Sequence, residues 1–234
     1  SGAVRNGDIF LIFAAPNEFF MLRVKGILWA ALSSSTFGLA PLFTLLLLGV
    51  GYSSFEVLTY RWGVASLCLG AYGLLAGGDF RLGRRELGTV FLLSLFRAAT
   101  SLSLVIAYQN IASGVASTIH FMYPLVVAVV MMCFFRERGS AWTFAAIGMS
   151  IVGAVLLSLG NVDFSHGDTT LGIVSATVSV VAYGGYIVGV RRSRAVEIDS
   201  TVLTCCVMAF GALFFIAGGL LTGGVRLETC LLYT

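Results

Sequence analysis

The chain has 234 residues, of which 58% are apolar and 11% charged, with a formal net charge of +3. A soluble globular domain usually carries about 25% charge, so this composition excludes a water-soluble fold and indicates an integral membrane protein. The basic residues lie in short segments between apolar runs rather than on one continuous face, which excludes a nucleic-acid interface.

The apolar runs are unbroken and about twenty residues long, which matches a hydrocarbon core of roughly 30 Å crossed at 1.5 Å per helical residue. A membrane β-barrel would instead show alternating strands of about ten residues. The expected fold is therefore all-α, a polytopic membrane helix bundle. Residues 1–20 hold a short apolar run that breaks at Pro16, and Met21-Leu-Arg-Val-Lys reads as a natural start, so 1–20 are expected to be a non-native or disordered extension. Seven spans follow: Gly26 to Val50, Phe55 to Ala76, Leu87 to Tyr108, Val115 to Phe135, Trp142 to Leu159, Leu171 to Val190 and Thr201 to Leu221. The loops alternate in charge. Arg23 and Lys25, then Arg81, Arg84 and Arg85, then Arg136 and Arg138, then Arg191, Arg192 and Arg194 mark every second loop, which places the segment before the first span in the cytoplasm.

The chain repeats itself at a shift of 146 residues. Gly26-Ile27, Ala30, Ser33, Phe37 and Gly38 fall on Gly172-Ile173, Ala176, Ser179, Tyr183 and Gly184; with a slip of one, Val57-Leu58-Thr59 falls on Val202-Leu203-Thr204. A five-helix unit is odd, so its second copy enters the membrane from the opposite side, the inverted-repeat plan of many secondary transporters. Residues 21–160 would be the first five-helix repeat and 161–227 the first two helices of a second, giving seven helices of an expected ten. The closing Cys-Leu-Leu-Tyr-Thr corresponds to one reading frame of a common sequencing adapter, so 228–234 are expected to be an artefactual tail.

Several residues stand out against this apolar background. Arg97 lies near the middle of the third span, too deep for easy snorkelling, on a stripe with Ser94, Ser101 and Tyr108; its fork suits a carboxylate or phosphate on a solute. The competing role is a structural ion pair or carbonyl clamp. In the fourth span His120 shares a four-residue spacing with Ala112, Ala116, Pro124 and Ala128, a small-residue face that another helix can approach closely. As a group that titrates near pH 6.5 it suits proton exchange or solute contact, and a satisfied core histidine is the bland alternative. Pro124 is a candidate hinge, or a static kink. Ser33-Ser34-Ser35-Thr36, Tyr183 and Tyr186 would bring hydroxyls to one central cavity, Ser34 foremost, with Phe37, Trp62 and Tyr123 as aromatic walls; close helix packing explains the serines equally well. Glu56 and Arg61 are a candidate ionisable pair in the outer half of the second span, with snorkelling as the alternative. Ala146, Ser150, Ala154 and Ser158 form a packing stripe within the bundle or at a homodimer contact.

The ordered set resembles the EamA-like branch of the drug/metabolite transporter superfamily: Gly38 and Pro41, then Glu56 and Arg61, then Tyr108-Gln109-Asn110-Ile111-Ala112-Ser113, Ala116-Ser117, Tyr123-Pro124, Arg136-Glu137-Arg138 and Gly148 to Gly153. The resemblance runs from Gly26 to about Leu227. It implies ten helices in two inverted repeats and movement of small organic solutes, often outward, across a bacterial inner membrane, with no cofactor. The absent last three helices and His120 depart from that pattern. An intramembrane enzyme would need a nucleophile with a base or a metal cluster, and the chain has only His120 and His166 and no HExxH or GxSxG. A passive channel or a non-transporting scaffold is the remaining alternative. The expected partners are a small-molecule solute and the lipid bilayer.

Overall fold

A computed structural model describes residues 24–29, 31–32, 39–136, 144–145, 148–149, 152–153 and 167–222. Among these residues the architecture is helical: α1 Leu39–Gly49, α2 Ser54–Leu75, α3 Arg84–Asn110, α4 Ser113–His120, α5 Tyr123–Phe135, α6 Thr169–Arg192 and α7 Ser200–Thr222, with a 3-10 turn at Arg194–Glu197. The chain divides into two compact units, 1–44 and 45–234. The first is described only through helical residues 24–29, 31–32 and the start of α1, where Thr44 returns its hydroxyl to the Ala40 carbonyl at 2.7 Å. Everything below concerns the second.

Helix starts are set by local chemistry. Ser53 caps α2 through a reciprocal box: its hydroxyl accepts from the Glu56 N–H at 3.2 Å, and the Glu56 carboxylate accepts from the Ser53 N–H at 2.7 Å. Asp168 caps α6 by accepting from the Thr170 and Leu171 N–H groups, and Asp199 caps α7 by accepting from those of Thr201 and Val202. Each cap satisfies donors that would otherwise be orphaned at a helix end.

Helices α3, α6 and α7, and the combined segment Ser113–Phe135, are each long and apolar enough to cross a membrane. Helix α2 has sufficient length at 22 residues, but Glu56, Arg61 and its tyrosines and glycines keep it out of that apolar class. The predicted second, third, sixth and seventh spans thus agree with α2, α3, α6 and α7 to within a few residues. The predicted first span is described in part, and the fifth lies mostly outside the described residues, as do residues 1–20, Ser34, His166 and the 228–234 tail. The fourth span differs from expectation. It is two helices broken at Phe121 and Met122, with Pro124 in the first turn of α5, where its missing N–H and fixed φ are tolerated.

Three buried clusters define the packing, and α3 contributes to all of them. Leu58 and Trp62 of α2 meet Ala98 and Val105 of α3 and Ala212 and Phe215 of α7. Ala107, Tyr108 and Ile111 pack with Val115 and Ala116 of α4 and Ala176 of α6. Val90 and Leu93 pack with Ala195, Leu203 and Val207. Helix α3 is therefore the central strut of this unit, flanked by α2, α6 and α7, while α4 and α5 lean on α6. The outward faces are apolar: Leu67 is 75% exposed, Leu75 90%, Phe134 79% and Leu221 88%. Such faces suit lipid or further helices rather than water, and inside a membrane the interior is held by close packing and hydrogen bonds rather than by water exclusion between helices.

The two ends of the bundle differ. At one end the Ser54 hydroxyl donates to the Gln109 side chain at 3.3 Å, and the Asn110 side-chain Oδ1 accepts from the Asp168 N–H at 3.1 Å. At the other, the loops carrying Arg81, Arg84 and Arg85 and Arg191, Arg192 and Arg194 come together through Leu82, Ala195 and Ile198. The Arg192 guanidinium also sits 4.2 Å from the centre of the Phe135 ring, which brings the C-terminal ends of α5 and α6 to that same basic side.

Candidate functional site

Arg97 is the central residue of α3, about 20 Å from either end at 1.5 Å per residue. Its guanidinium lies over two rings, 5.1 Å from the centre of Tyr183 on α6 and 5.7 Å from that of Trp62 on α2. One η nitrogen reaches the Ser101 hydroxyl at 3.5 Å, a long and weak bond. Ring stacking supplies the guanidinium with partial compensation at mid-depth. Among the described residues no carboxylate pairs with it.

Helix α6 brings the aromatic side of the site. Tyr183 packs edge-on against Tyr123 of α5, with ring centres 4.5 Å apart, and stacks near Tyr186 at 5.8 Å. His120, at the last turn of α4, stands 5.3 Å from Tyr183 and 5.9 Å from Tyr123. Glycine lets these helices come so close: a Cβ at Gly189 would stand 2.7 Å from a Leu93 methyl of α3, and one at Gly184 would stand 3.0 Å from Val126 of α5. On the other side, a Cβ at Gly211 of α7 would collide with the Cε3–Cζ3 edge of the Trp62 indole, so that edge of the ring rests directly on the α7 backbone. Phe215 then meets the same indole edge-on at 5.2 Å.

His120 is buried, 3% exposed, and its Nδ1 lies 3.0 Å from the Ser179 hydroxyl. Ser179 is 2.6 Å from the Ala176 carbonyl. A hydroxyl has one hydrogen, and the shorter bond takes it. Ser179 is then the acceptor and the imidazole the donor, which leaves His120 as the Nδ1–H tautomer with Nε2 free to accept.

The structure thus brings together Arg97, Ser101, His120, Tyr123, Tyr183 and Tyr186, with Trp62 as one wall. Ser34 and Phe37 lie outside the described residues. The four-residue stripe through His120 does not continue as expected: Ala116 and His120 are buried, but Pro124 is exposed, because the break at Phe121 and Met122 turns α5 relative to α4. Pro124 also has no N–H to give the His120 carbonyl, so the freed acceptor belongs to the site histidine itself. Tyr108 is turned away from Arg97 to share a 3.2 Å hydrogen bond with Ser117. The Glu56 carboxylate serves the α2 cap, and Arg61 lies on the exposed side of α2 next to Trp62. Sequence reasoning missed Ser179 as a site residue, although its alignment with Ser33 in the repeat was a usable signal.

A bundle that is helical among the described residues, apolar on its outward faces and with a cation and polar aromatics at mid-depth, is that of a multi-pass membrane protein. Residues 24–159 match the EamA-like transporter family, more than half of the chain, and the chain belongs to that family. A 94-residue segment is 28% identical to a Synechocystis sp. protein described as uncharacterized transporter sll1319, covering 38% of this chain and 27% of that relative. The chain therefore spans well under half of the curated relative it matches. No solved structure matches the chain.

Proposed function

We propose that the chain is part of a secondary carrier that moves small organic solutes outward across a bacterial inner membrane by alternating access, with Arg97, Ser101, His120, Tyr123, Tyr183 and Tyr186 on the solute pathway. The observation that carries this reading is Arg97, a cation at mid-span that faces rings of α2 and α6 and has no carboxylate partner among the described residues. Ionisable groups at that depth are costly and mark solute or ion routes. Family membership supports the transporter class.

In this reading two inverted five-helix repeats, the second represented here by α6 and α7, rock about the site. Support comes from the caps: Ser53 of α2 and Asp199 of α7 stand 146 positions apart, within one residue of the shift that aligns Val57 with Val202, and both open helices that pack on each other. Glu56 and Arg61 flank the outer half of the pathway, and Pro124 is the hinge.

The test is solute flux in vesicles holding the full-length protein, with a mixed metabolite panel and with and without a pH gradient. Selective, saturable movement of one chemical class, lost in Arg97→Ala while the protein stays in the membrane, is the expected result. Unsaturable flux would indicate a channel instead, and no flux a scaffold.

A further inference from the structure

We infer that the solute class is a planar organic monoanion, an aromatic carboxylate, bound edge-on by Arg97 with its flat part against the Tyr183 and Trp62 rings. This rests on the carrier reading above and adds to it the chemistry of the cargo.

The argument begins with what Arg97 already has and what it lacks. A guanidinium offers five N–H donors in one plane. Its charge lies over the rings of Tyr183 and Trp62, 5.1 and 5.7 Å from their centres, and one donor makes the 3.5 Å contact to Ser101. No carboxylate among the described residues takes the others. Arg97 keeps partial exposure among the described residues, which leaves it within reach of a solute. A group that fills them must lie in the guanidinium plane, accept two hydrogen bonds and bring negative charge, which suits a carboxylate.

The surroundings set the rest of the molecule. Tyr183 stands edge-on to Tyr123 at 4.5 Å, and His120 lies 5.3 Å from Tyr183, so the walls next to the cation are ring faces and ring edges from three helices. A flat conjugated body can share such rings by offset stacking or edge contacts, whereas a saturated body of equal volume gains only ordinary packing. Negative charge spread over many oxygens would meet the electron-rich faces of tyrosines, which disfavours polyanions. A cationic solute would meet Arg97 as a like charge.

The experiment uses the full-length protein, purified and reconstituted in vesicles at pH 8, with four matched probes: benzoate, benzamide, cyclohexanecarboxylate and benzylamine. Binding is read from ligand-induced thermal stabilisation in detergent, and flux from vesicles corrected for leak through protein-free ones. Benzoate is expected to bind at least about tenfold more tightly than benzamide or benzylamine, since a charge-assisted pair is worth roughly 1.5–3 kcal/mol. It should also outcompete cyclohexanecarboxylate several-fold. Arg97→Ala should erase the preference over benzamide, and Trp62→Leu the preference over the saturated acid; Arg97→Lys, which keeps the charge without the fork, should fall between. Equal or better handling of benzamide or benzylamine overturns the assignment of cargo and leaves the carrier intact. Benzoate binding with no flux of any probe supports the cargo class and overturns the carrier. If Arg97→Ala is unstable, loss of benzoate preference in Ser101→Ala and Trp62→Leu decides the matter: unchanged preference in both overturns the proposal.

Discussion

At the scale of single residues, the site is built from groups that are each satisfied incompletely. His120 gives its Nδ1–H to Ser179, and Ser179 gives its own hydrogen to Ala176. Replacing Ser179 by Ala should orphan a buried donor and cost about 1–3 kcal/mol in thermal unfolding. Nitrogen-15 spectra of histidine-labelled protein should show the Nδ1–H tautomer dominant for His120 in the parent and lost in Ser179→Ala. An unchanged tautomer in the variant would mean the imidazole is fixed by something else. If His120 also exchanges protons in the cycle, His120→Gln should flatten the pH dependence of flux. The glutamine can still hydrogen-bond but cannot titrate. Arg97 was legible in the sequence because a cation thirteen places inside an apolar run has few bland explanations. Ser179 was not, because one serine among Ser175, Ser179 and many threonines in the same helix looks like ordinary packing until the partner histidine is placed beside it.

At the scale of elements, two features govern how the helices fit. An edge of the Trp62 ring rests on Gly211, so Gly211→Ala forces the indole off the α7 backbone; overpacking of this kind costs about 1–3 kcal/mol. The expected result is a lower melting temperature in detergent, partly restored by adding Trp62→Phe, since the smaller ring leaves room for the new methyl. Failure of that rescue would show that the strain lies elsewhere. The second feature is the break between α4 and α5. Pro124→Ala returns an N–H to the His120 carbonyl and lets the two helices join, so the melting temperature should hold or rise while flux falls several-fold. Undiminished flux would make the break a static kink. The lengths and ends of α3, α6 and α7 were readable from uninterrupted apolar runs bounded by Asp, Glu and Arg. The break was only half readable: Pro124 announced an irregularity, but proline tolerates either a kink inside one helix or the first turn of a new one, and neighbouring helices settle that choice.

At the scale of the whole molecule, the arginines of the α2–α3 and α6–α7 loops and the end of α5 gather on one side, and Ser54, Gln109, Asn110 and Asp168 on the other. Under the positive-inside rule the arginine side faces the cytoplasm. In a cysteine-depleted background, a cysteine placed at Ser193 should react with an impermeant maleimide only after cytoplasmic access is opened. One placed at Ser53 should react in intact cells stripped of their outer membrane. The reverse pattern would invert the topology. This asymmetry was visible in the sequence as alternating loop charge, because charge placement follows from membrane insertion and needs no tertiary contact. Which helices become neighbours was not visible: that α3 would touch α2, α6 and α7 depends on where small residues such as Gly189 and Gly211 let backbones approach.

The fastenings of α6 lead to a mechanical conclusion. One end is held by the Asn110–Asp168 hydrogen bond and the other by the Arg192–Phe135 stack, with the Tyr183 contacts near the middle. A 24-residue helix is about 36 Å long, so a tilt of about 5° around its centre displaces each end by roughly 1.6 Å. That stroke parts a 3.1 Å hydrogen bond while scarcely moving the rings at the fulcrum. In the carrier reading α6 would act as a lever about its middle, gripping a solute near the pivot and opening at a tip once the end contact and the packing of that tip against α3 give way.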